Sequence, residues 1–225
     1  MGLLKSWGLV LLIVMAICFR KEIDQDTRLA IWKIEESVEV LRSQIQLRES
    51  EEKLLQSFLH KKRKLHWLSA RVLLAAMLNT KEYIEYRVDE HGKPYLVDFP
   101  YFISISHSVA YAAVMISKTC PVGIDIEQMD PKIVQLAHKF LSPAELSFVD
   151  INNRKAHLYA CWCIKEAVFK LNGKRKTSLR DIQLSPFSYQ QSARAKVNLA
   201  NRDSVSCFDA YFETFDGYMM GYVWA

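Results

Sequence analysis

Apolar residues are not spread evenly along this chain. They fall into one unbroken run near the start and then into patterns with two different periods. The run is Trp7 to Phe19 (WGLVLLIVMAICF), with Lys5 before it and Arg20 and Lys21 after it. A transmembrane helix needs about 20 apolar residues, and this run has 13. No small-x-small cleavage site follows it, which argues against a secretory signal. Three readings fit: a membrane anchor, a buried strand or helix, or a leader upstream of a start at Met15. The leader reading is preferred. Residues 1–14 are then expected to be dispensable, and membrane contact through residues 7–19 is not favoured.

Beyond the run, Leu29 to Ile34 has the β-branched and aromatic bias of a short strand. From Glu35 to Leu78 glycine and proline are almost absent, and apolar residues recur at helical spacing. Examples are Val38, Leu41 and Ile45, then Leu65, Leu68, Val72 and Leu73. The spacing predicts two or three helices. Tyr83 to Val97 carries the turn sequence DEHGKP between two apolar runs, which predicts a hairpin. Strands are predicted over Phe102–Ser106, Tyr111–Ser117 and Val122–Glu127. A helix over Pro131–Phe140 follows. Ser142-Pro143-Ala144-Glu145 is a capping box with proline at the first helical position. A helix from about Lys155 to Leu171 comes next. From Ile182 to Trp224 the pattern alternates, as antiparallel strands do.

Helices followed by strands thus occur twice. The expected fold is α+β, in two similar pseudo-twofold halves, each a helix-packed antiparallel sheet, with the active site at their junction. The boundaries expected are residues 1–14 for the leader, 15–119 for the N-terminal half and 120–225 for the C-terminal half.

Composition narrows the class. Half the residues are hydrophobic and 24% are charged, which rules out a disordered chain. The net charge of +5 permits an anionic ligand or an acidic partner. Five cysteines in a chain of 225 residues do not read as a disulfide framework, so an intracellular, cytoplasmic protein with reduced thiols is expected.

Four segments carry residues that could do chemistry. In Val122-Gly123-Ile124-Asp125-Ile126-Glu127, Asp125 and Glu127 share one face of a strand while Ile124 and Ile126 share the other. Two adjacent carboxylates repel, and a hard cation such as Mg²⁺ relieves the repulsion. A solvated strand edge explains the same pattern. In Trp162-Cys163-Ile164-Lys165-Glu166-Ala167-Val168-Phe169-Lys170, the residues Trp162, Glu166 and Lys170 lie on one helical stripe. They could be a surface ion pair, or a third carboxylate with a phosphate contact. Ser106 and His107, in Ser104-Ile105-Ser106-His107-Ser108, could be turn residues or meet a phosphate. The run His60 to Lys64, with Arg71, is basic and contains no acid. It could be a solvated helix face or a phosphate site. No finger, knuckle or aromatic RNA-binding signature accompanies it, so a nucleic-acid partner is not expected. Cys161 and Cys163 lack the spacing and the second pair of a zinc ribbon and read as structural.

Taken in order, HKKRKLHWLSAR, GKPY, ISISHS, VGIDIE, FLSPAE and WCIKEAVFK resemble the 4′-phosphopantetheinyl transferase superfamily. The likeness is to the Sfp-type, holo-acyl-carrier-protein synthase-like branch, and it runs from about residue 29 to the end. The resemblance implies transfer of 4′-phosphopantetheine from coenzyme A to a serine of an apo acyl or peptidyl carrier protein. It implies release of adenosine 3′,5′-bisphosphate, Mg²⁺ dependence and a monomer. By the family's motifs, Asp125, Glu127 and Glu166 hold the metal, and Lys170 and His107 touch phosphate with Ser106 beside them. Arg63, Lys93 and Lys62 are carried over to the 3′-phosphate. Ser104 stands where the family often has asparagine. The carrier's serine needs a base, and both Glu166 and a metal-bound water held by it are in reach. Glu145 is a motif member whose capping role is enough to explain it. Two other readings remain: a different Mg²⁺-dependent phosphotransferase or nuclease, or a coenzyme A-binding module without turnover.

Overall fold

The structure, a computed structural model, describes residues 16–173, 177–200 and 205–225. Residues 1–14, expected to be a leader, lie outside the described residues.

The chain opens with a hairpin, β1 (Ile17–Glu22) and β2 (Thr27–Lys33). Three helices follow: α1 (Val38–Arg42), α2 (Glu49–Ser57) and α3 (Lys61–Leu78). Next come β3 (Tyr86–Val88), β4 (Pro94–Leu96), β5 (Phe102–Ser108), β6 (Tyr111–Ser117) and β7 (Val122–Gln128). The helices α4 (Ile133–Phe140), α5 (Pro143–Ser147) and α6 (Arg154–Asn172) precede the last four strands. These are β8 (Ile182–Leu184), β9 (Ser192–Ala200), β10 (Val205–Phe215) and β11 (Tyr218–Trp224). The α+β class expected from the sequence holds. One antiparallel sheet has the order β1-β2-β6-β5 and another β7-β11-β10-β9-β8, with β3-β4 as a separate hairpin.

Of the three readings of the apolar run, a strand holds for its last residues: β1 pairs antiparallel with β2, with Phe19 opposite Ile31 and Lys21 opposite Leu29. The last residues of the apolar run, Ile17 to Phe19, are therefore sheet. Their side chains alternate between half-buried and exposed, as on an edge strand. Among the described residues, no helix is long and apolar enough to cross a membrane.

The core has three parts. On one face of the first sheet, Ala30, Trp32, Val114 and Ile116 pack against Leu68, Val72 and Leu73 of α3. On the second sheet, Met219 and Val223 pack against Ile164 and Val168 of α6. The remaining faces of the two sheets meet each other, with Leu29, Ile31 and Met115 against Ile124, Ile126, Met220 and Tyr222. Strands buried on both faces lose the polar alternation of half-buried ones. This is why all seven residues of β6 are buried. Each fully buried aliphatic side chain here contributes about 1.5–3 kcal/mol.

Candidate active site

Strands β5 and β7 are the edges at which the two sheets meet. An edge strand presents unpaired N–H groups, and serine side chains satisfy them here. The N–H groups of Ile124, Ile126 and Gln128 donate to the hydroxyls of Ser104 (3.0 Å), Ser106 (3.3 Å) and Ser108 (3.1 Å). The serines alternate along β5, so all three face β7. Their hydroxyl protons are then free to serve the carboxylates. Ser106 donates to Asp125 Oδ1 and Ser108 to Glu127 Oε2, each at 2.8 Å.

Two glycines, Gly123 on β7 and Gly221 on β11, bring α6 onto the sheet. A Cβ at Gly123 would stand 1.9 Å from the carbonyl oxygen of Ala167, and one at Gly221 would stand 2.5 Å from the carbonyl carbon of Cys163. With no side chain at either position, helix backbone lies directly on sheet backbone. That contact carries Glu166 and Lys170 to Asp125 and Glu127. Lys170 Nζ donates to Asp125 Oδ1 at 2.7 Å and to the carbonyl of Ile124 at 3.0 Å.

The electrostatics follow from burial and crowding. Burial pushes Glu166 up to about 7, the charges of Asp125 and Glu127 add to the effect, and Lys170 opposes it. Glu127 is also raised, by burial and then by Asp125. Asp125 is almost fully buried, and its Oδ2 has no hydrogen-bond partner among the described residues. Three carboxylates with one ammonium thus carry an unmet demand for positive charge. Their oxygen chemistry, and the orphaned Oδ2 above all, fits a hard divalent cation. Among the described residues no group of three or more acidic, histidine or cysteine side chains closes into a metal shell. The three carboxylates are neighbours coupled by charge, not a finished ligand set.

A cavity of about 300 Å³ opens beside them, lined by Lys93, Ser104, His107, Phe169, Lys170 and Gly173. Lys93 projects from the β3–β4 turn and donates to the carbonyl of Leu171, and burial lowers its pKa. Its chain lies against Gly173, whose φ of +64° ends α6 in the left-handed region. His107 stacks on His66, with ring centroids 4.4 Å apart. Burial and then His66 lower the pKa of His107, so it meets the cavity as a neutral ring. His66 is fixed in turn by a 3.0 Å contact between Nε2 and the carbonyl of Val109. Val109 has φ +47°. A β-branched residue there costs about 1–3 kcal/mol, and the packed His66–His107 pair holds it.

The structure brings together Asp125, Glu127, Glu166, Lys170, Ser106, His107 and Lys93. Lys62 and Arg63 stand apart from them. Both are exposed on the first turn of α3, and neither lines the cavity. The Arg63 guanidinium lies 4.6 Å from the Phe58 ring centre, where cation–π attraction holds it. The residue of this helix that reaches the site is His66, which motif reasoning missed. Its signal was its position three residues after Arg63, on the same helical face. Ser108 was missed too, although the alternation of Ser104, Ser106 and Ser108 places all three on one strand face.

Other candidates are structural, as expected. Glu145 completes its capping box by accepting from the Ser142 N–H (2.8 Å). It also accepts from the Leu184 N–H (2.9 Å) and pairs with the fully buried Lys165 at 2.7 Å. Cys161 and Cys163 are buried, and burial pushes both thiols up. Trp162 packs edge-on against Phe140.

Residues 121–223, which contain Asp125, Glu127, Glu166 and Lys170, match the family model of the 4′-phosphopantetheinyl transferase superfamily. The 4′-phosphopantetheinyl transferase Sfp of Bacillus subtilis is 29% identical over 173 residues, covering 72% of this chain and 75% of that protein. The 4′-phosphopantetheinyl transferase gsp of Aneurinibacillus migulanus is 35% identical over 111 residues, 48% of this chain and 46% of that one. The 4′-phosphopantetheinyl transferase AcpT of Salmonella typhimurium is 32% identical over 117 residues, 49% of this chain and 60% of that one. Over these residues the chain is similar to the 4′-phosphopantetheinyl transferase superfamily and to enzymes named for that activity.

Proposed function

We propose that this enzyme moves the 4′-phosphopantetheine arm of coenzyme A onto a serine hydroxyl of an apo acyl or peptidyl carrier protein, with Mg²⁺, releasing adenosine 3′,5′-bisphosphate. One observation carries the reading. Asp125, Glu127 and Glu166 share the field of Lys170, and Lys170 lines a cavity together with Lys93 and His107. That combination suits a pyrophosphate and a separate phosphate on one ligand.

In this reading the serine oxygen attacks the pantetheine-side phosphorus of the pyrophosphate. The bond from that phosphorus to the bridging oxygen breaks, and the bisphosphate departs. The serine proton passes to Glu166 or to a water that Glu166 holds. Lys170 turns from Asp125 toward the phosphates. His107 donates from its neutral ring, and Lys93 meets the 3′-phosphate. Asp125, Glu127 and Glu166 would hold the cation, which when bound supplies positive charge against the charge building on the leaving group. Fixed charges aimed at that developing charge are the main source of acceleration in such transfers.

We place the site between two halves, residues 15–119 and 120–225, related by a pseudo-twofold axis. The enzyme acts as a cytoplasmic monomer on an acidic carrier, toward which the +5 chain is drawn. Incubation with coenzyme A, Mg²⁺ and a panel of apo carrier proteins, followed by intact mass, tests the function. One phosphopantetheine added per carrier supports it, and no added mass on any carrier refutes it.

A further inference from the structure

We propose that Ser108 is a positioning residue: its hydroxyl, anchored by the Gln128 N–H, sets the Glu127 carboxylate in the orientation that a divalent cation requires. The inference rests on the metal reading of Asp125, Glu127 and Glu166 given above.

A serine hydroxyl has one proton to give and two lone pairs to accept with. The Gln128 N–H, 3.1 Å away, takes one lone pair of Ser108 Oγ. The proton is then directed to Glu127 Oε2 at 2.8 Å. Glutamate is among the side chains with most rotamer freedom to lose on ordering. Glu127 lies at the end of β7, half-buried, where that freedom is least restricted by packing. The Ser108 bond removes it before any ligand arrives. The anchor is itself rigid. Ser108 is buried at the end of β5, and the next residue, Val109, is pinned through its carbonyl by His66.

The three serines of β5 contain their own comparison. Ser106 repeats the arrangement one step along, accepting from Ile126 and donating to Asp125. Ser104 accepts from the Ile124 N–H, but among the described residues its hydroxyl meets no carboxylate. Loss of the Ser104 hydroxyl therefore removes a tie between the sheets and nothing from the carboxylates. Loss of the Ser108 hydroxyl removes both.

The test is Mn²⁺ binding to the protein without coenzyme A, followed by the electron paramagnetic resonance of free Mn²⁺, beside thermal melting. The variants are Ser108→Ala, Ser108→Thr and Ser104→Ala. A hydrogen bond to a charged group accounts for about tenfold in an equilibrium. Ser108→Ala should weaken Mn²⁺ binding about tenfold and raise the Mg²⁺ concentration for half-maximal turnover by a similar factor. Ser108→Thr, which keeps the hydroxyl, should restore both. Ser104→Ala should lower the melting temperature with unchanged Mn²⁺ affinity. Wild-type Mn²⁺ affinity in Ser108→Ala, or equal weakening in Ser104→Ala, overturns the positioning role alone. A wild-type enzyme that binds no Mn²⁺ yet modifies carriers overturns the metal reading, and the role of Ser108 with it.

Discussion

Lys170 Nζ sits 2.7 Å from Asp125 Oδ1, so the lysine that ends the K-E-A-x-x-K stretch is the counter-charge of the most buried site carboxylate. The same aspartate oxygen accepts from Ser106. Asp125 is thereby held by groups from β5 and α6, which precede and follow β7 in the chain. The other two carboxylates are tied less firmly and carry the raised pKa values.

Asp125→Asn and Glu166→Gln should each lower phosphopantetheine transfer about 10²-fold or more, the loss typical when one transition-state stabilising group is removed. Both changes keep shape and remove charge, so circular dichroism should stay that of the parent. Transfer at near-parental rates in either variant would place the chemistry elsewhere.

Lys93→Ala should weaken coenzyme A binding about tenfold or more while hardly touching the dephospho form. A charge-assisted bond to the 3′-phosphate is worth about 1.5–3 kcal/mol. Calorimetric titration with both ligands measures the difference. Arg63→Ala, on a residue stacked on Phe58 outside the cavity, should give a smaller difference. Equal losses with the two ligands in Lys93→Ala would mean that the lysine serves the α6 C-terminus through Leu171.

Gly123→Ala should destabilise the protein by about 3 kcal/mol, the upper part of the usual overpacking range. Its methyl group would meet the Ala167 carbonyl at 1.9 Å, and backbone on both sides must shift. Because the same contact delivers Glu166 to the site, transfer should fall along with the urea midpoint. An unchanged midpoint would mean that α6 does not lie on β7 as described.

His157 should make the protein acid-sensitive. Its Nδ1 accepts from the Asp150 N–H at 3.0 Å, which leaves the proton on Nε2, a buried atom with no hydrogen-bond partner among the described residues. The rings of Phe148, Phe187 and Tyr189 surround it. Burial lowers its pKa below the ordinary 6.5, against the pull of Asp150. Between those two values the unfolded chain binds the proton and the native state does not. This contribution to stability is therefore complete above about pH 6.5 and declines as the pH falls toward the native pKa. Melting temperatures from pH 7.5 down to 5.5 should drop less steeply in His157→Phe than in the parent. Parallel slopes would assign the acid limb to other groups.

Local pattern was enough for most elements, because the period of apolar positions reports which side of a strand or helix is buried. The three helices before residue 79, the β3–β4 hairpin around DEHGKP, the Ser142–Glu145 cap and the long helix ending near Leu171 all depend on near neighbours. So does the sharing of a strand face by Asp125 and Glu127. The edge strand β1 was legible only as one of three readings, because its residues carry an apolar run whose pattern has no period of two. Tertiary structure alone decided that β5 and β7 lie side by side, that serine hydroxyls join them, and that His66 rather than Arg63 reaches His107. Contacts between residues twenty to forty positions apart leave no period in the sequence. They are fixed by which backbone surfaces can approach, and here the missing side chains of Gly123 and Gly221 let α6 close on the sheet and assemble the site.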